Sequence, residues 1–306
     1  MRGDKAKRTC ENMNWDIERL NVHSHHGCNL RCFGCNHHSQ FLHVSESINI
    51  NEMIESLKIV LSKIKIGHVA VLGGEPMLNP EGTKKICQFL IDNNQRLKLV
   101  TNGYKIDKHA DWFIDLVRQG MIVKISSHLA PIRDKGGVKN LHEINSFLSK
   151  CLDSGVNVYG GTNKIIDQKL GWVERTTEWN SVWYSTFNYK GNKVFPYDSD
   201  KEDAFSICEH ACPQLYKGRL YKCSHSAYFQ EYLSINGQLE DSEWQHFIKE
   251  HGWDIYSDEG ISEFLNNVYK PEGICSSCPS SETIQFIYHV QDESIVKKKI
   301  PIKEII

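Results

Sequence analysis

An α/β fold, a partial barrel of parallel strands with a smaller C-terminal extension, is what this sequence predicts. Three observations carry the expectation. Strand-like and helix-like segments alternate at least five times, glycines punctuate their ends, and the rhythm stops near residue 165, where aromatics and a late cysteine group take over. Residues 15–23 (WDIERLNVH) alternate like a strand and run into a cysteine-rich loop. Residues 51–64 (NEMIESLKIVLSKI) carry apolar side chains at helical spacing, with Asn51 as the expected cap. HVAVLGGEP then reads as a buried strand ending in glycines, GTKKICQFLIDNN as a helix and RLKLVTNGY as a strand. HADWFIDLVRQG reads as a helix stopped by Gly120, and MIVKISSH as a strand. VKNLHEINSFLSKCLDSG is a further helix stopped by glycine, and VNVYGGTN a further strand. Beyond this point helix signals weaken until 242–251. The expected division is a core over 15–165, with the barrel continuing to about 200, an extension over 205–285 and a tail over 286–306.

Composition sets the outer bounds. The 306 residues are 40% hydrophobic and 24% charged, as in an ordinary globular chain. A net charge of −2 supplies no overall field to draw in nucleic acid, although 36 Lys and Arg leave room for a local basic patch. The longest apolar runs are strand-sized, so no membrane span is expected. The N-terminus MRGDKAKRTCENMNWD has no apolar stretch behind its basic residues, which argues against a secretory signal and for the cytoplasm.

Eleven cysteines is a high count for a reducing compartment, where clustered thiols serve metals or catalysis more often than disulfides. Cys28, Cys32 and Cys35 form one group. Cys208, Cys212, Cys223, Cys275 and Cys278 form another, while Cys10, Cys87 and Cys151 stand alone. Cys87 and Cys151 lie in amphipathic helical stretches and are expected to be small buried hydrophobes.

The first group reads Cys-x3-Cys-x2-Cys directly after the first strand. Three thiolates on a short loop hold three corners of a four-iron cluster and leave the fourth iron open to a small molecule. The competing reading is a closed structural zinc site completed by His25, His26, His37 or His38. The loop resembles that of the radical S-adenosylmethionine (radical SAM) superfamily, which carries this spacing after the first strand of a partial (β/α)6 barrel. The resemblance implies a [4Fe-4S] cluster whose open iron chelates S-adenosyl-L-methionine, and whose electron breaks a carbon–sulfur bond to give a 5′-deoxyadenosyl radical. It also implies an electron donor such as a flavodoxin or ferredoxin. The family usually places an aromatic residue just before the third cysteine; here Gly34 stands there, with Phe33 one earlier. Gly73, Gly74, Glu75 and Pro76 match the family's GGEP motif. Glycine lets backbone approach a ligand closely, and a carboxylate among carbonyls suits an ammonium group. Asn102 in TNG sits where such barrels open, and Ser126 resembles the fourth-strand residue that bonds the ribose hydroxyls. The resemblance covers roughly residues 15–165.

The second group reads C208-EHA-C212-PQLYKGRLYK-C223, then C275-SS-C278. Residues 212–223 form a natural hairpin around Lys217-Gly218, which sets Cys212 opposite Cys223 with Cβ atoms about 5 Å apart. Four thiolates suit a structural zinc or an iron–sulfur cluster equally well. Gly218 to Cys223 resembles the Gly-x4-Cys hairpin of the auxiliary-cluster regions called SPASM and Twitch, which implies a second [4Fe-4S] cluster. Counting from Gly218 in that pattern gives Cys208 as the first ligand, whereas hairpin geometry gives Cys212.

The resemblance implies hydrogen abstraction from a substrate that the sequence does not identify, and no catalytic residue is assigned. A small molecule undergoing oxidation, rearrangement or epimerisation is the leading expectation, which makes the enzyme an oxidoreductase or isomerase. A nucleotide or modified DNA base is an alternative, because Trp172, Trp179, Trp183, Tyr184, Phe187 and Tyr189 would stack a ring if they do not fill a core. Peptide-modifying maturases are a further alternative, but they usually carry an N-terminal docking domain, and only about fourteen residues precede the first strand. A zinc-binding interaction protein without catalysis would leave GGEP and the strand–helix rhythm unexplained.

Overall fold

Nine strands form one twisted sheet that carries the cysteine groups. The computed structural model describes residues 14–30, 32, 35–39, 42, 48–127, 135–160, 171–177, 182–190, 193–208, 212–249, 252–284 and 286–288. Phe33, Gly34, Cys10 and Trp179 lie outside these residues.

The strand–helix rhythm is realised as β1 (Ile17–His25), α1 (Ile50–Lys63), β2 (Ile66–Gly73), α2 (Pro80–Asp92), β3 (Leu97–Thr101), α3 (Ala110–Arg118), β4 (Ile122–Ser127), α4 (Lys135–Asp153) and β5 (Val158–Gly160). α1 begins one residue earlier than expected. Its cap is Asn49, whose side chain accepts from the backbone of Asn51 and Glu52; Asn51 lies in the first turn and accepts from Lys85. α3 and α4 run into glycines at positive φ, Gly120 at 111° and Gly155 at 73°. Strands β1 to β4 are parallel neighbours, so each connection crosses over through a helix. Leu20, Val22, Val69, Val71, Leu99 and Val123 point to the helix side. There they bury against Leu57, Val60, Ile86, Leu90, Phe113 and Phe147. Cys87 and Cys151 are fully buried in this core.

The far edge departs from simple succession. β6 (Val173–Thr177) inserts between β4 and β5, pairing with all of Val123–Ser127, while the three-residue β5 is left outermost. Five paired residues satisfy more of the β4 backbone than three would. At the other edge β7 (Gln214–Tyr216) lies parallel to β1 and turns back through Lys217 (φ 46°) and Gly218 (φ 70°) into β8 (Arg219–Tyr221). Two consecutive positive φ values give the turn that suits a right-twisted hairpin. β9 (Trp253–Asp254) completes this edge.

A second core lies beneath the extension. Phe187, Val194, Phe229, Tyr232, Leu233, Trp244, Phe247 and Ile274 pack together, with Tyr189 against them. Phe187 and Tyr189 therefore serve packing. Helices α5 (Lys201–Ile207), α6 (Ser224–Ile235) and α8 (Asp258–Asn267) extend the expected helix content of this region. The 242–251 segment instead contains a 3-10 turn, Ser242–Trp244, and the one-turn α7, Gln245–Ile248. No helix among the described residues is long and apolar enough to cross a membrane.

Candidate active site

The C-terminal ends of β1, β2 and β3 converge on the first cysteine loop, where parallel α/β barrels place their chemistry. Gly74 donates its amide to the His25 carbonyl at 3.0 Å, and Glu75 donates to the Gly27 carbonyl at 2.9 Å. The GGEP backbone thus runs against residues 25–27. A Cβ on Gly73 would lie 2.1 Å from the His25 oxygen, and one on Gly74 would lie 2.1 Å from the Gly27 oxygen. Both glycines are demanded by the chain's own close approach.

Glu75 is fully buried. One carboxylate oxygen accepts from Met77 N at 2.9 Å and Thr101 Oγ1 at 2.6 Å; the other accepts from Asn102 N at 2.8 Å. Burial pushes this acid up to about 7, and the three donors oppose the rise. Asn102 donates to Asn29 Oδ1 at 2.9 Å and stands 3.7 Å from Cys28 Sγ, which also receives the Leu30 amide at 3.3 Å. Cys28, Glu75 and Asn102 are thereby brought together. Ser126 follows on β4, one step past the Thr101–Ile125 pair, so it shares the same sheet end. Burial pushes the Cys28 thiol up, and the Glu75 carboxylate adds to the effect. Burial raises Cys35 as well, against backbone donors at Ser39, His37 and His38. Cys28 faces a carboxylate, and a metal centre held by the loop would supply positive charge to offset it.

Three of the four imidazoles that might have closed a zinc site, His26, His37 and His38, are engaged by other histidines. His23 lies 3.0 Å from His26 and 2.7 Å from His37 through ring nitrogens, while His38 meets His225 at 3.1 Å. His26 also stands 4.0 Å from Glu231, which accepts from Tyr216 and, at 2.5 Å, from Lys217.

The second group lines its own cavity. Cys208, Cys223, Cys275 and Cys278 face it together with Ala204, Phe205, Lys222 and Ile274. The hairpin register does set Cys212 level with Cys223, two residues beyond the Gln214–Tyr221 pair. Yet the cavity wall is completed by Cys208, which caps the C-terminus of α5, and Cys212 is not among its lining residues. The cavity thus gathers Cys208, rather than Cys212, with Cys223, Cys275 and Cys278. Pairing fixes the level of a residue along a ladder, whereas α5 docks Cys208 against the 3-10 turn Gly273–Ser277. Burial pushes Cys275 up to about 12 and also raises Cys278 well above the ordinary thiol range, with the neighbouring cysteines adding to both. Lys222 stands beside them. Its ammonium is buried and donates to the carbonyls of Val268 at 2.8 Å, Asn267 at 3.2 Å and Lys270. No disulfide joins any described cysteine, and no three metal-ligating side chains among the described residues converge on a single-ion site. Lys222 and Thr101 escaped sequence reasoning. Only its place beside Cys223 pointed to Lys222, and nothing local linked Thr101 to Glu75.

This loop and these strand ends define a radical SAM domain: residues 22–163 match the model described as the Radical SAM superfamily. The assignment is to that domain of the chain, residues 22–163. The chain is similar to a probable GTP 3′,8-cyclase from Methanococcus maripaludis (strain C6 / ATCC BAA-1332), 27% identical over 135 residues. The match covers 42% of this chain and 43% of the relative, so the chain spans less than half the length of that curated relative. Among solved structures it resembles native anSMEcpe with bound AdoMet, at 17% identity and a TM-score of 0.44, covering 85% of this chain and 86% of that one. It also resembles BtrN in complex with AdoMet and 2-DOIA, at 12% identity and a TM-score of 0.43, covering 87% and 94%.

Proposed function

We propose that this chain holds two four-iron clusters and uses S-adenosylmethionine to abstract hydrogen from a small-molecule substrate, which is thereby oxidised, rearranged or epimerised. The observation that carries this reading is the convergence of Cys28, Glu75 and Asn102 at the strand ends, beside Cys32 and Cys35 on one loop. Cys28, Cys32 and Cys35 would hold the first cluster, which with S-adenosylmethionine on its open iron supplies a 5′-deoxyadenosyl radical. The GGEP backbone, Asn102 and Ser126 would bind and orient the cofactor along the sheet end. Glu75 supports that edge from beneath, because its carboxylate is already engaged by Met77, Thr101 and Asn102. Cys208, Cys223, Cys275 and Cys278 would hold the second, Twitch-like cluster, with Lys222 offsetting its negative charge. Four protein thiolates leave that centre no open iron, which assigns it to electron transfer or structural support. A flavodoxin or ferredoxin would supply the electron, and the setting is the cytoplasm.

A nucleotide substrate is the second reading, favoured by the likeness to a GTP cyclase over 135 residues. Anaerobic reconstitution tests the main proposal. About eight iron and eight sulfide per chain are expected, with 5′-deoxyadenosine formed from S-adenosylmethionine and dithionite. About four irons with bound zinc would leave only the first centre, and no iron at all would end the proposal.

A further inference from the structure

A strap of hydrogen bonds joins the two cysteine groups. His38 lies three residues past Cys35, and His225 two past Cys223. His38 Nε2 stands 3.1 Å from His225 Nδ1, and His225 Nε2 stands 3.0 Å from Ser277 Oγ, between Cys275 and Cys278. All three side chains are buried, and Phe187 lies against both rings, at 4.5 Å and 5.1 Å between centroids. The direction of the bonds follows from the last link. Ser277 Oγ donates to the Ile274 carbonyl at 2.7 Å, so it accepts from His225 Nε2–H; His225 Nδ1 then accepts from His38 Nε2–H.

Two further observations support the strap. The His38 backbone has a φ of 55°, a left-handed conformation that a residue with a Cβ keeps only where its surroundings over-determine it. That twist aims the imidazole of the first loop at the extension. A second thread runs alongside through Tyr197, which ties Phe187 to Ser277. The Tyr197 amide donates to the Ser277 carbonyl at 3.1 Å, and its hydroxyl to the Phe187 carbonyl at 3.3 Å.

We infer that His225 is a positioning residue that fixes the turn after Cys35 to the Cys275–Cys278 knuckle, so that the two cysteine centres are built as one unit. The inference rests on the two-cluster reading above. Its test uses the full reconstituted chain and follows iron release to a ferrous chelator. Electron paramagnetic resonance identifies the first centre by its response to S-adenosylmethionine. His225→Phe keeps an aromatic ring between Phe187 and Phe229 but removes both bonds. It is expected to release first-centre iron roughly five- to tenfold faster, the scale of one or two lost buried hydrogen bonds, while His225→Asn stays within about twofold. Equal release rates and unchanged spectra in His225→Phe overturn the inference. So does loss of both centres in step with the melting temperature and without rescue by Asn, which marks a merely structural role. Should His225→Phe fail to fold, Ser277→Ala decides: faster first-centre release supports the strap, and wild-type release refutes it. A wild-type chain with one centre refutes the two-cluster reading and the strap together, whereas two centres with an unresponsive His225→Phe refute the strap alone.

Discussion

His68, on β2 opposite Arg19, is a half-buried imidazole with cations around it. Burial pushes it down to about 3, and Arg19, Lys98 and Arg96 add to the shift. Below its ordinary 6.5 the unfolded chain takes up a proton at this residue and the folded chain does not. His68 therefore lowers stability as pH falls from about 6.5 toward 3, by at most about 1.4 kcal/mol per unit. His68→Gln is expected to flatten the acid limb of urea midpoint against pH, and parallel curves for the two proteins would refute this. The same scale separates what was legible from what was not. Cys28, Cys32, Cys35 and the GGEP run are local motifs, readable because their geometry is set within a few residues. The work of Glu75 was hidden, since Thr101 and Asn102 meet it from a different strand, 26 and 27 residues away.

Helix α6 illustrates how an element escapes a periodicity argument. Ser224, His225, Ser226, Ala227, Tyr228, Phe229, Tyr232 and Leu233 are all buried, so no polar face marks the helix in sequence. α8 was masked by Gly260 in its first turn, yet a Cβ there would lie 2.4 Å from the Asp254 carbonyl, so packing requires that glycine. Helices of the barrel half were legible because each buries a single face. Phe229→Ala in α6 is expected to cost about 3–5 kcal/mol in chemical denaturation, because the ring is fully buried in the second core. At the end of β2, Gly74→Ala should cost about 2 kcal/mol or more, given the 2.1 Å approach to the Gly27 oxygen. Gly155→Ala, where nothing lies within 4 Å and only the positive φ resists, should cost about 1 kcal/mol. Equal losses for the two glycines would remove the close-approach argument.

Across the whole molecule the parallel succession β1 to β4 followed from sequence, because short connections and alternating periods permit few arrangements. The insertion of β6 between β4 and β5 did not, since nothing local tells a strand which neighbour it will pair with. The second cysteine group divides in the same way. Its hairpin was readable, but the docking of α5 that brings Cys208 to the cavity is a tertiary event. Cys208→Ala is accordingly expected to lose about four irons after reconstitution, while Cys212→Ala keeps its full complement. The reverse outcome would show that the cavity wall does not define the ligand set.

Lys222 carries a consequence that reaches beyond the cavity it borders. Its ammonium collects the carbonyls of Asn267, Val268 and Lys270 just past α8; burial pushes its pKa down, and Cys275, Cys223, Glu272 and Cys208 oppose that push. The last turn of α8 and the negative charge of the cavity thus share one cation. Stripping thiolate charge from the cavity leaves that cation with Glu272 in a desolvated place, and the carbonyls it gathers then lose part of their tie. Fraying at 267–270, followed by amide hydrogen exchange, would act as a remote gauge of cavity occupancy, with faster exchange after the metal is chelated and slower exchange once it is restored.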